Sequence, residues 1–318
     1  MKTAAVVVTH QQAHLAQSCL EMLAGNQLLD QCVVVVNCPK RLGPVGLDAL
    51  KRLATVVLND CPVGYSENLN RGIAALQPGW DAVLLLNDDT QVAPDAIQRM
   101  MSVLESWPRV GMVGARIIDA NGVEQMSAFP FRSIRREAAQ LLLAPRRFRA
   151  LIDKLSAPTS VSPGPQIVDV VFGAAMLVRA VALHSVGGLD SDFFLYFEED
   201  DICLRLKRAG WLTAWCREAT IVHLGGASTA DEALYRDVWA VSRRLYLRKH
   251  WGYMRRLTLV IVEVLLFCWN EAYVLLSTAV RPTSRPDKVR WLAAKYTDLG
   301  WHRLARRSAA RLLRPTRM

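Results

Sequence analysis

Three stations along this 318-residue chain carry side chains that could do chemistry together. The first is Asn87-Asp88-Asp89, where the apolar run "AVLLL" (82–86) stops at an amide and two carboxylates. Ending a buried run in charge is costly unless something compensates it. In extended backbone alternate side chains share a face, so Asn87 and Asp89 are expected to point together and Asp88 away. One carboxylate and one amide do not cage a metal alone. They suit a hard divalent cation that keeps water and takes further oxygens from a diphosphate. Capping of the helix expected from Pro94 is an equally good use of the same residues.

The second station is Glu198-Glu199-Asp200-Asp201, at the head of a helix whose apolar face is Ile202, Leu206 and Ala209. Acids at a helix N-terminus are stabilised by the dipole, but two would suffice. Four repel one another and raise at least one pKa unless a cation or substrate is near. Phe193, Phe194, Tyr196 and Phe197 make the setting partly apolar, where a carboxylate can act as general base toward a hydroxyl. The third station is His223, shortly before Gly225 and Gly226, which serves either as a metal or phosphate contact or as a structural histidine. P-loop, GxGxxG, GxSxG and HExxH patterns are absent, which leaves metal-assisted transfer from a diphosphate donor as the chemistry best served.

The elements that must position these stations alternate from the start. Strands are expected at 3–9, 32–37, 55–58 and 81–87, and helices around Leu15–Leu23, 46–54, 67–76 and after Pro94. Continuous apolar strands in a βαβα order imply a parallel sheet covered on both faces, with ligands beyond the carboxyl ends of its strands. After "VGMVGARII" (110–118) the "DANG" turn reverses the chain. Residues 128–166 are basic and aromatic and end in the Pro/Ser-rich "SAPTSVSPGPQ", which reads as a loop.

Composition bounds the setting. Apolar residues make up 52% and charged residues 21%, as for a globular body with a core. Seven cysteines without metal-like spacing, and an N-terminus unlike a signal peptide, point to a reducing cytoplasmic location. Of the net charge of +10, +9 lies in residues 281–318, where eleven Lys or Arg face two acids. Charge confined to a tail suits attraction to an anionic membrane surface or to RNA, with the body free for other work, better than a nucleic-acid-binding body. Upstream, residues 257–280 would form a helix of roughly 36 Å, long enough to cross a bilayer. Glu263, Asn270 and Glu271 put one polar stripe on it, which fits a helix lying in the membrane interface best, ahead of one packed against the body or a true span.

In order and spacing, "GYSENLNRGI" (64–73), "LLLNDDT", "FGAAMLVRA" (172–180), "FFLYFEEDDICLRLKRAGW" (193–211), "VHLGGAST" and "YLRKHWG" resemble the family 2 glycosyltransferases, in particular their bacterial rhamnosyltransferase-like branch. The resemblance covers about residues 3–252. It implies a GT-A fold over 1–252, a mixed and mostly parallel sheet flanked by helices, followed by a helical membrane-associating extension over 253–318. It also implies Mg²⁺ or Mn²⁺ on a nucleotide-diphospho-sugar, held by Asp89 and completed by His223. Thr9, Asn37, Gly64, Asn70, Arg71, Asn87 and Asp88 would then bind the donor. Glu199, with Glu198 and Asp201 beside it, would deprotonate the acceptor hydroxyl for a single inverting displacement. The acceptor would be a glycan or a polyprenyl-diphosphate-linked sugar of a surface polysaccharide, at the inner face of the cytoplasmic membrane, with no nucleic acid involved. Two positions depart from the family pattern. "VVNCPKR" replaces the usual Asp-Asn-x-Ser, leaving the nucleotide open, and Glu199 replaces an Asp, lengthening the base by a methylene. A sugar nucleotidyltransferase and an inactive membrane-bound scaffold are the rival readings.

Overall fold

The computed structural model describes residues 1–10, 12–141, 164–225 and 232–280. The chain divides into two compact units, Met1–Phe131 with Pro158–Ala230, and Arg132–Ala157 with Asp231–Met318.

In the first unit, β1 (Thr3–Thr9), β2 (Gln31–Val36), β3 (Thr55–Leu58) and β4 (Ala82–Asn87) pair in parallel in the order β3-β2-β1-β4. The crossovers are α1 (Ala13–Ala24), α2 (Pro39–Lys51) and α3 (Tyr65–Ala74). Alternate side chains of the apolar strands feed two cores. Ala5, Val7, Val34, Val36, Leu84 and Leu86 pack on one face with Leu20 and Leu23 of α1. Val6, Val8, Val33, Val35, Val83 and Leu85 pack on the other with Leu69 of α3. Burial on both faces is why these strands lack polar alternation. The register pairs Thr9 with Val36 and Val8 with Asn87, so Thr9, Asn37 and Asn87 leave the sheet at one carboxyl edge.

Beyond β4 come β5 (Thr90–Val92), α4 (Ala96–Ser106), β6 (Val110–Ile118) and β7 (Glu124–Gln125), the last closing the hairpin expected at the "DANG" turn. Then β8 (Ala128–Phe129) pairs with β10 (Val170–Val171), and β9 (Gln166–Val168) pairs with β12 (Leu212–His223). β11 (Ala175–Arg179), α6 (Ala180–Ser185) and α7 (Glu198–Arg208) complete the unit. The sheet continues β4-β11-β6-β12-β5, and here it stops being parallel: β11 runs antiparallel to both β4 and β6, and β5 antiparallel to β12. An apolar run marks a buried strand but carries no sign of its direction.

The second unit is helical in its described part: α5 (Ile134–Leu141), α8 (Glu232–His250) and α9 (Tyr253–Val280). Arg243 of α8 lies buried between Glu137 of α5 and Glu263 of α9, with an N–O distance of 2.7 Å to each. By length and composition Tyr253–Val274 could cross a membrane. Residues 156–163 of the Pro/Ser-rich stretch, and the basic segment 281–318, lie outside the described residues.

Candidate active site

The first station is a turn, not extended backbone. Asp88 and Asp89 occupy the corner between β4 and β5. The alternation expected for a strand therefore does not apply, and Asp88 and Asp89 both act on the phenol of Tyr65. Neither caps α4, whose N-cap residue is Asp95. Burial raises the Asp88 carboxyl to about 6; the nearby Thr9 hydroxyl opposes the rise and the charge of Asp89 adds to it.

Because β5 pairs with β12 at Thr90 and His223, residues 133 positions apart in sequence meet. His223 Nε2 lies 3.3 Å from Asp89 Oδ1, and the Leu224 N–H donates to the Asp89 carbonyl at 2.9 Å. Phe172 stands edge-on to the imidazole at 5.6 Å. No group of three or more His, Cys, Asp or Glu able to hold a metal occurs among the described residues. One carboxylate and one imidazole side by side could supply half of the ligands of a divalent cation. They fit an ion whose remaining ligands are water and diphosphate oxygens, not a closed structural metal site.

The second station reaches the first through Gly173 and Ala174. The Asn87 N–H donates to the Ala174 carbonyl at 3.1 Å, and a Cβ placed on Gly173 would lie 3.8 Å from Glu198 Oε1 and from Glu199 Cδ. Tyr65, at the start of α3, joins the two. Its hydroxyl donates to Asn87 Oδ1 at 2.7 Å and its N–H to the Phe194 carbonyl at 2.6 Å. Burial raises its phenol well above the tyrosine range, and the charges of Glu198, Asp88, Asp89 and Glu199 add to that rise. Carboxylates from two distant segments thus act on one hydroxyl.

Burial likewise holds the Glu198 carboxyl well above the ordinary range, with Glu199 and Asp200 adding their charge. Burial is the larger cause, and the repulsion expected of adjacent acids adds to it at this buried member of the row. Just before α7, Tyr196 and Phe197 both take left-handed backbone, at φ 68° and 69°, the only non-glycine residues to do so among those described. Such strain costs of order 1 kcal/mol or more per residue and persists where surrounding packing over-determines it.

The remaining sequence candidates lie around this centre in supporting contacts. Asn37 Oδ1 accepts from Asn59 Nδ2 and the Val63 N–H, and its amide donates to the Val63 carbonyl. Arg71 pairs with Glu67 at 2.9 Å and donates to Asn59 Oδ1. Asn70 exchanges hydrogen bonds with the backbone of Leu189, anchoring the segment that leads to α7. Gly64 allows a close approach: a Cβ there would meet Phe194 Cα at 2.7 Å. Asp201 is buried and paired with Arg205 at 2.6 Å. The structure thus brings Thr9, Asn87, Asp88, Asp89, Glu198, Glu199 and His223 together, with Asn37, Gly64, Asn70, Arg71 and Asp201 tying the segments that carry them. The sequence reading gave no role to Tyr65, Asn59 or Gly173. The aromatic residue after Gly64 was the one available signal.

The fold is of the GT-A type. It superposes on a mannosyltransferase from Pyrobaculum calidifontis, solved with GDP-Man and Mn²⁺, with a TM-score of 0.59 over 99% of this chain and 88% of that one, at 13% identity. It also superposes on GalNAc-T7, solved with UDP, GalNAc and Mn²⁺, with a TM-score of 0.56 over 77% and 47% of the two chains, at 12% identity. The family model for Glycosyl transferase family group 2 matches residues 82–294, and that for Glycosyl transferase family 2 matches residues 4–156. The chain belongs to this family. It is 31% identical over 205 residues to the N-acetylglucosaminyl-diphospho-decaprenol L-rhamnosyltransferase of Mycobacterium tuberculosis, covering 61% of this chain and 66% of that protein. It is 26% identical over 153 residues to rhamnosyltransferase WbbL of Escherichia coli, covering 46% of this chain and 55% of WbbL.

Proposed function

We propose that this chain is an inverting, divalent-cation-dependent glycosyltransferase that moves L-rhamnose from a nucleoside diphosphate to a hydroxyl of a polyprenyl-diphosphate-linked acceptor, in building a cell-surface polysaccharide. The observation that carries this reading is the meeting of the two acidic segments around Tyr65. The sugar and acceptor are taken from the mycobacterial relative, whose name states both.

Asp89 and His223 would hold Mg²⁺ or Mn²⁺, which when bound supplies positive charge against the departing diphosphate. Thr9, Asn87 and Asp88 line the donor side of the same edge, and Asn37, Gly64, Asn70 and Arg71 fix the loops around it. Glu199 accepts the proton of the acceptor hydroxyl as its oxygen bonds to the anomeric carbon. The bond from that carbon to the diphosphate oxygen breaks on the opposite face, so one displacement inverts the configuration. Burial favours the neutral form of Glu198, which limits the negative charge beside the base. Asp201 orients Arg205, whose Nη1 donates to the Val186 and Gly188 carbonyls and ties α7 to the segment before it. The work is done at the inner face of the cytoplasmic membrane, where such an acceptor is anchored.

The test is transfer from dTDP-L-rhamnose, with UDP- and GDP-sugars in parallel, to N-acetylglucosaminyl-diphospho-polyprenol in Mn²⁺. The expected product is one deoxyhexose heavier, with its anomeric configuration inverted by NMR. A retained configuration, or no transfer from any donor in the panel, would overturn the proposal.

A further inference from the structure

α9 is inside out for a helix in water. It buries its polar stripe, with Glu263 4% exposed and Asn270 1%, and presents its apolar side to solvent, with Met254 69% and Leu265 64% exposed. Leu257, Ile261, Val264 and Trp269 are exposed too. With Tyr253 and Val260, also exposed, these positions span an arc of about 180° at 100° per residue, on the side away from Glu263 and Asn270, while Leu259 and Val274 are buried with the polar stripe. The orientation has an electrostatic cause. Arg243 is buried with one carboxylate on either side, Glu137 and Glu263, each at 2.7 Å. Turning the apolar arc inward would pull Glu263 away from Arg243 and leave the guanidinium with Glu137 alone.

We propose that this exposed face is a docking surface for an anionic lipid bilayer, with α9 lying along the membrane and not crossing it. The proposal rests on the reading above, in which the acceptor sits in the same membrane, and adds the residues that make the contact. Charge selects the occupant. Exposed Arg255 stacks 3.8 Å from the Trp251 ring at the start of α9, and Arg248 and Lys249 are exposed in the last turn of α8. The sequence that follows α9 adds eleven Lys or Arg against two acids. A second copy of this chain would bring the same positive charge against itself, whereas anionic headgroups complement it. The buried ion pair argues for lying flat. Glu263 is ten residues beyond Tyr253, or about 15 Å along the helix, the middle of a hydrocarbon layer about 30 Å thick. A crossing helix would take Glu263 there and either part it from Arg243 or draw α8 and α5 in with it.

The test is flotation of the full chain with phosphatidylcholine vesicles, with and without phosphatidylglycerol, compared with the variant Ile261→Asp/Leu265→Asp. Both sites are exposed, so the melting midpoint of the variant should be unchanged. Wild-type protein should float with the anionic vesicles alone and be released by alkaline carbonate. The variant should partition at least roughly a hundredfold more weakly. Equal flotation of the variant would overturn the proposal, as would retention after carbonate, the mark of a span. A wild-type dimer that the variant turns into a monomer, with flotation unaffected, would show that a second copy covers the face. A lowered midpoint would show that the chain covers it itself. Donor and acceptor play no part in the measurement, so it can fail while the transferase reading stands.

Discussion

Tyr65→Phe removes one oxygen at the point where the two acidic segments meet, and its effect can be worked from the contacts. The hydroxyl donates to Asn87 Oδ1 at 2.7 Å in a part-buried position, so the variant leaves that amide oxygen short of a donor. A neutral hydrogen bond of this kind is worth about 1–2 kcal/mol once the desolvated partner is counted. Urea unfolding should register that loss. If Asn87 lines the donor side, its freed amide should also cost roughly tenfold in kcat/KM, the equivalent of about 1.4 kcal/mol. Because burial and four neighbouring carboxylates hold the phenol well above its usual range, tyrosine is the donor at every assay pH, and the ratio of wild-type to variant rates should be flat with pH. The double variant with Asn87→Ala closes a cycle, and a coupling of at least about 0.5 kcal/mol is expected for groups in contact. Unchanged stability together with unchanged kcat/KM would refute the idea that Tyr65 ties the segments. A stability loss with no kinetic loss would make it a structural hydrogen bond alone.

Two further predictions concern charge. Arg243→Ala leaves Glu137 and Glu263 buried without their shared partner and should destabilise the helical unit by about 3–5 kcal/mol in urea, whereas replacing all three residues by apolar ones of similar volume should cost little. Asp88→Asn should raise the melting midpoint of the ligand-free protein at pH 7.5 but hardly at pH 4. The native Asp88 carboxyl keeps its proton to about pH 6, against 3.8 for a free one. Between those values the folded state binds more protons than the unfolded, so stability falls as pH rises, and the variant escapes that fall.

How much of this was legible in the sequence depended on how far apart the partners lie. The parallel strands were legible because burial on both faces leaves continuous runs such as "AVVV" and "VVVV". The acids at 88–89 and 198–201 stood out because charge next to apolar runs needs a partner. The direction of β11 was not legible, since an apolar segment packs equally well either way round. Nor was the turn at Asp88-Asp89, which follows from β5 crossing the edge of the sheet to reach β12. Tyr65 belonged to a recognised motif, but its role depends on Phe194, 129 positions away, and on Asn87. The polar stripe of α9 was read correctly as a stripe. Its inward orientation could not be read, because it is set by Arg243, 20 positions upstream, and through it by Glu137, 126 positions upstream.

The measurement that bears most directly on the proposed site compares Asp89→Ala and Glu199→Gln in two readouts, stabilisation by donor sugar nucleotide with and without Mn²⁺, and transfer to acceptor. Asp89→Ala should lose the Mn²⁺-dependent stabilisation and transfer together. Glu199→Gln should keep the stabilisation while transfer falls by about a hundredfold or more, as for loss of a general base. Near wild-type transfer by Glu199→Gln, or undiminished Mn²⁺-dependent donor binding by Asp89→Ala, would contradict the account.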